Sequence, residues 1–244
     1  MKKLSLVLLT VCLTLGCWAQ KTGETDVFTT ASGKNVKITC IKHASIMMEY
    51  DGKTIYFDPV INMEPYTDFT TWPKADFIFV THEHRDHFDT MALTELRRNY
   101  TVIYTNHNVY TQWGSGYAMA NGDKAEVCDN ITVEAVPAYN TTAGREKFHP
   151  KGRDNGYVLN IENLRIYVAG DTEDIPEMAN LKDIDIAFLP CNQPYTMTPE
   201  QLAKAAKVIK PKVLFPYHYS DTPIRKVSML LAGSGIDVRI RKYK

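Results

Sequence analysis

The stretch Thr81-His82-Glu83-His84-Arg85-Asp86-His87-Phe88-Asp89 gathers three of the chain's seven histidines around an aspartate. Neutral imidazoles and carboxylates are the ligand set that suits zinc and related divalent ions. In an extended turn His82 and His84 project to the same side, and Asp86 with His87 faces a point slightly further along. That geometry suits two ions rather than one. An isolated His-x-His would say little. The full His-x-His-x-Asp-His spacing directly after an apolar run, Phe77–Val80, is far more specific.

An apolar strand leading into this motif, and a helix over 90–98 leading out, place it at the end of a strand on the edge of a sheet. Several side chains can converge there. Upstream, 36–41 and 45–50 are β-rich, Asp51-Gly52 is a hairpin turn, and 53–57 returns to end at Asp58-Pro59. Residues 60–75 read as a long loop of the kind that carries function. Downstream, 101–105 is a strand and 106–123 a loop with a short helix. Hairpins follow over 124–138 and 157–169, separated by a polar loop over 139–155. The second ends in Gly170-Asp171-Thr172. A short helix over 176–181 and a buried strand over 184–189 come next. Thr198-Pro199-Glu200-Gln201 is a helix start, with threonine at the N-cap, proline at N1 and glutamine at N3. A strand over 213–216 runs to His218, and 224–241 supplies one more helix and strand. An antiparallel first half followed by alternating strands and helices implies an α+β chain of two mixed sheets covered by helices on their outer faces. The metal-type residues all fall at strand ends: 81–87, 140, 171 and 218.

With 244 residues and a formal net charge of zero, the chain carries no electrostatic footprint for nucleic acid. Lys2 and Lys3 precede an apolar run over 4–15 that is too short to span a bilayer comfortably. Residues 1–20 therefore read as a signal peptide. Cleavage after Ala19 predicts a periplasmic or extracellular protein. A degenerate lipobox at Leu15-Gly16-Cys17 is the alternative and would anchor the protein to a membrane through Cys17. Two lysines and no acids leave with the leader, so the remainder carries a formal charge of −2. Residues 21–35 read as a polar lead-in and 36–244 as a single domain. Cys40, Cys128 and Cys191 remain beyond the leader, too few and too far apart for a disulfide framework or a thiolate zinc site. Each reads as a small buried apolar residue; for Cys191, at its strand end, a place facing the cavity is the alternative. His107 reads as a surface residue.

The His-x-His-x-Asp-His motif, Gly170-Asp171-Thr172 and Pro216-Tyr217-His218 resemble the metallo-β-lactamase fold superfamily, over nearly all of 36–240. Phe148-His149-Pro150-Lys151-Gly152 and Tyr195-Thr196-Met197-Thr198-Pro199 resemble its branch of uncharacterised metal-dependent hydrolases, near the lactonase and N-acyl-phospholipid phosphodiesterase groups. The resemblance implies a four-layer αβ/βα sandwich and a dinuclear site. His82 and His84 would bind the first ion, and Asp86, His87 and His218 the second. Asp171 would bridge them, which makes Asp86 and Asp171 the catalytic carboxylates. The ions would be zinc, with manganese or iron as alternatives, and a hydroxide between them would be the nucleophile. Asp58 would hold a ligand histidine in place, and His43 would lie near substrate.

The family usually places a histidine at the strand end where this chain has Tyr139-Asn140. An amide oxygen is a poor zinc ligand. His149, nine residues on, is expected to supply the missing imidazole, leaving Asn140 a supporting or substrate contact. The implied activity is hydrolysis of an ester, lactone, amide or phosphodiester bond in a small-molecule or lipid-like substrate. An iron redox protein and a non-catalytic binding protein on the same fold are the competing readings. Tyr66, Phe69, Trp72, Trp113 and Tyr117 lie in loops that could rim the site.

Overall fold

A computed structural model describes residues 23–243. The expected leader over 1–20, with Cys12 and Cys17, lies outside the described residues. Strands β1 (Glu24–Thr29), β2 (Asn35–Lys42), β3 (Ser45–Tyr50), β4 (Lys53–Phe57), β5 (Phe77–Val80), β6 (Val102–Thr105) and β7 (Tyr117–Ala118) form one sheet in sequence order. Strands β8 (Lys124–Cys128), β9 (Ile131–Ala138), β10 (Asp154–Ile161), β11 (Leu164–Val168), β12 (Ile186–Pro190), β13 (Val213–Tyr217) and β14 (Asp237–Val238) form the other, again in order. In each sheet the first three pairings are antiparallel and the last three parallel.

Alternation along the strands dictates the layers. Val36, Ile38, Ile46 and Met48 of the first sheet face Ile131, Val133, Leu159 and Ile166 of the second in one buried core. In-register aromatics reinforce it: Phe57 stacks on Phe79 at 5.0 Å and Phe79 on Tyr104 at 4.9 Å. The outer face of the first sheet is covered by α1 (Thr90–Leu96) and α2 (His107–Trp113), which bury Leu93, Leu96 and Val109 against Tyr56, Ile78 and Val80. On the second, α3 (Pro199–Ile209) and α4 (Arg225–Leu230) bury Leu202, Ala206 and Val227 against Val158, Leu189 and Leu214. The expected four-layer sandwich is the observed fold.

Local signals hold in detail. Asp51 and Gly52 both have positive φ, 47° and 74°, as a tight hairpin turn requires. Thr198 and Gln201 close a reciprocal capping box. Asp89 caps α1 by accepting from Met91 N and Ala92 N.

One expectation needs correction, and two readings that the residues leave open are decided. Within the polar stretch 21–35, residues 24–29 form β1 rather than a lead-in, because Asp26 is neutralised by Arg239 and Arg241 at 2.8 and 2.6 Å and Phe28 packs edge-on to Phe215. Phe69 and Trp72 do not rim the site; they are buried against α1 and Tyr56. Cys191 is buried in the core with the residues of α3, as a small apolar residue should be.

Candidate metal centre

All the donors lie at one edge of the sandwich, where both sheets end. The turn after β5 supplies His82, His84, Asp86 and His87. Asp171 follows β11, His218 follows β13, and His149 comes from the turns between β9 and β10. The two sheets are pinned together here: Tyr157 Oη and Asn155 N, both on β10, donate to the carbonyls of Val80 and Thr81 at 3.0 and 3.1 Å. Gly170 has a φ of 65°, and a side chain there would meet Asn155 O at 2.8 Å and Thr81 Cβ at 3.1 Å. Only glycine lets Asp171 come this close to the histidine motif.

The donor atoms converge in two sets joined by a third group that draws on both. His82, His84 and His149 form one; His43, Asp86, His87 and His218 form the other; His82 and His87 also group with Asp171. His82 Nε2 lies 3.0 Å from His84 Nδ1. Asp171 reaches both sets: its oxygens lie 3.2 Å from His87 Nε2, 3.3 Å from His149 Nε2 and 3.4 Å from His218 Nε2. Asp86 Oδ2 is 3.5 Å from His218 Nε2 and 3.1 Å from His43 Nε2. Ligands around a tetrahedral ion with bonds of 2.0–2.1 Å lie about 3.3 Å apart. His87 Nε2, His149 Nε2, both nitrogens of His218 and Asp171 Oδ1 are buried with no hydrogen bond. Such atoms are costly unless something else satisfies them, and a divalent cation fits both the donor types and the spacing.

Second contacts fix which nitrogen faces inward. Asp58 Oδ2 accepts from His87 Nδ1 and from Thr81 Oγ1, both at 2.8 Å, and Oδ1 accepts from Thr81 N. The single hydroxyl proton of Thr81 is thereby used, so Thr81 Oγ1 accepts from His82 Nδ1 at 3.0 Å. His82 and His87 both present Nε2 to the cluster as a result. His149 Nδ1 lies 3.2 Å from Tyr195 O. The Asn140 amide donates to Tyr195 O at 2.8 Å and Arg145 O at 3.3 Å, and Asn140 N donates to the His149 carbonyl at 2.9 Å. His43, Asp58 and His218 all hold left-handed backbone, with φ of 46°, 43° and 51°. Each costs on the order of 1 kcal/mol for a residue with a Cβ, and all three sit at this site.

Electrostatics favour a cation. Burial alone would raise the carboxylates, yet the surrounding imidazoles hold Asp171 and Asp86 well below the usual carboxylate range. Burial pushes His82 well below the imidazole range and lowers His84; His43 is pushed down to about 4 by burial, then by His218. His87 goes the other way: burial works against charge, but Asp171 and Asp58 on either side push it well above. The ionised carboxylates and the neutral forms of His82, His84 and His43 are the states that bind metal, and at His87 the same two carboxylates that favour a proton would favour a cation in its place.

Several residues that build this site have roles that no local pattern reveals. Thr81 relays Asp58 to His82. Glu173, wholly buried, accepts from Thr141 N and Thr142 N at 2.8 and 2.7 Å and shapes the loop after β9. Lys42, also buried, donates to the carbonyls of Ile61, Met63 and Pro65 at 2.7, 2.7 and 2.9 Å. The only signal for either was a charge beside a strand end; their partners are too distant in sequence to be read. His107 is exposed at the start of α2, away from the donors.

Residues 37–218 match the model of the β-lactamase superfamily domain. The chain belongs to that superfamily. A UPF0173 metal-dependent hydrolase of Ligilactobacillus salivarius is 36% identical over 198 residues, covering 77% of this chain and 87% of that one. The crystal structure of a metal-dependent hydrolase from Parabacteroides distasonis superposes with a TM-score of 0.88 at 54% identity, over 91% of this chain and all (100%) of that one. Igni18, a metallo hydrolase of the archaeon Ignicoccus hospitalis, gives 0.72 at 25% identity, over 85% and 95% of the two chains. At the level of class, a metal-dependent hydrolase of the β-lactamase superfamily, the sequence resemblance and the comparisons agree.

Proposed function

We propose that this superfamily member is an exported hydrolase that holds two divalent ions, zinc first, at the edge where its sheets meet. His82, His84 and His149 would hold one ion, Asp86, His87 and His218 the other, and Asp171 would serve both. The observation that carries this is the convergence of unpartnered buried imidazole nitrogens on Asp171 from both sets. Bound there, two ions supply Lewis acidity and an acidified water, chemistry that serves ester, lactone, amide and phosphodiester bonds alike.

The chain's own residues do the rest. Asp58 and Thr81 fix the tautomers of His87 and His82. His43 connects the site to a cleft of about 440 Å³ that it lines with Met63, Pro65, Tyr219 and Tyr243. The cleft has the size and the partly apolar wall of a small-molecule site. Lys42, gripping three carbonyls of 61–65, preforms one wall of it. The substrate is therefore a small or lipid-like molecule whose non-reacting part lies beside His43. Export rests on the leader pattern over 1–20, and acylation of Cys17 would be a route to a membrane anchor. The neutral overall charge argues against nucleic acid as a partner.

The test is a panel of phosphodiesters, lactones, acyl amides and β-lactams assayed with added Zn²⁺ or Mn²⁺, alongside metal content. About two ions per chain and turnover of at least one class are expected. Asp86→Ala and His87→Ala should abolish that turnover with the fold intact, since both lie beyond the strand. Full activity in either variant would sink the two-ion reading.

A further inference from the structure

In the second set His218 follows a strand end, His87 is braced by Asp58, which is itself buried at the end of β4, and Asp86 pairs with His43 and His218. His149 has no carboxylate brace: its ring meets Tyr195 O at 3.2 Å and its carbonyl accepts from Asn140 N at 2.9 Å, both contacts within its own half of the chain. It lies in a run of turns between β9 and β10, on the opposite sheet from the His82 and His84 that it must meet. Something has to hold that turn in register with the histidine motif.

Arg153 makes that connection. Its Nη2 donates to Phe148 O at 2.8 Å, the carbonyl immediately before His149. Its Nε and Nη2 also form a two-point pair with buried Asp154 at 2.7 and 2.8 Å. On its other side Nε lies 3.3 Å from Glu83 Oε1. Glu83 stands between His82 and His84 in the chain, and its other contacts fix it firmly. Oε1 accepts from Asn108 Nδ2 at 2.9 Å and Oε2 from Asn106 Nδ2 at 3.1 Å. Asn106 Nδ2 closes the ring by donating to Arg153 O at 3.1 Å. One guanidinium thus reaches the turn carrying His149 and the residue between the other two imidazoles.

Resting on the two-ion reading above, we infer that Arg153, through Glu83, is the positioning residue of the His82, His84 and His149 set alone. A planar fork can serve Phe148, Asp154 and Glu83 together; a lysine ammonium cannot. No contact runs from Arg153 to Asp86, His87 or His218 among the described residues. The two ions should therefore respond differently to its loss.

The experiment measures zinc per chain by mass spectrometry on the full chain under chelator competition. Wild type should hold two zincs. Arg153→Gln should hold one firmly and the other with affinity lowered about 10- to 100-fold, the usual cost of losing a partner that orients a ligand. Combining Arg153→Gln with His149→Ala should cost no more zinc than His149→Ala alone. A merely structural role would not produce that non-additivity. Glu83→Gln, which leaves the Arg153–Asp154 pair untouched, should reproduce the one-site loss and carries the test if Arg153→Gln folds poorly. Two zincs at wild-type affinity in both variants, or equal weakening of both ions, would overturn the clamp while leaving the two-ion reading standing. Fewer than two zincs on wild type would overturn that reading and the clamp with it.

Discussion

The two halves of this chain are built alike and furnished differently. Each is a seven-stranded sheet whose pairings run three antiparallel and then three parallel. Corresponding strand ends meet at the same edge of the sandwich. Asp58 follows β4 and Asp171 follows β11; His43 follows β2 and His149 comes after β9. The first half concentrates four donors in one turn after β5 and braces them with its own Asp58. The second half scatters three donors over three connections, one of them a turn far from any strand end. A topology that brings equivalent strand ends together lets either half supply a ligand or a brace. The half with contiguous donors needs less from its partner.

Asp171→Asn is expected to break this arrangement most severely. The amide keeps the volume but removes the charge that faces His87, His149 and His218 at 3.2, 3.3 and 3.4 Å. Both ions depend on it, so zinc should fall below one per chain by mass spectrometry. Turnover should drop more than about 100-fold, beyond the loss expected for an outer partner. A variant that keeps two zincs would show that the halves do not share this carboxylate.

A smaller effect separates the donors of the second half. His149→Ala should cost one zinc and spare the other, because the second set does not include it. Asn140→Ala should retain both zincs with a weakening of about tenfold at most, since the lost amide bonds Arg145 O and the Tyr195 carbonyl that His149 also meets, while the backbone bond from Asn140 N to His149 O survives the change. If Asn140→Ala loses an ion and His149→Ala does not, the roles are reversed.

The contrast between halves also explains what could be read from the residues alone. His82, His84, Asp86 and His87 are contiguous, so chain geometry by itself puts them at one strand end. His149 was placed by the family resemblance, through the absence of a histidine at Tyr139-Asn140, and not by any local pattern. Thr81, Glu83, Glu173 and Arg153 were illegible in role because each acts through partners tens of residues away. β1 was hidden for the same reason. Its polar residues look like a linker until Arg239 and Arg241, at the far end of the chain, arrive to pair with Asp26. The hairpins and α3, by contrast, are specified by neighbours such as Asp51-Gly52 and Thr198 with Gln201.

The smallest effect belongs to a contact that ties the halves together at Glu162, in the turn between β10 and β11. Glu162 Oε1 accepts from Tyr50 Oη at 2.5 Å and from Ser32 Oγ at 2.6 Å, and Oε2 accepts from Ser32 N at 3.1 Å. Hydrogen bonds from Ser32 first, then Tyr50, lower its pKa from the ordinary 4.5 to about 2. A carboxyl depressed on folding contributes stability that is fully present above the unfolded value. That contribution is lost as pH falls from 4.5 through 2. Glu162→Gln should therefore lower the denaturation midpoint slightly at pH 7, and its difference from wild type should shrink across this acid window. Because the contact is a surface one, the shift should be small, and zinc content at pH 7 should not change. A gap that stays constant from pH 7 to pH 2 would mean that the Glu162 charge does not join the halves.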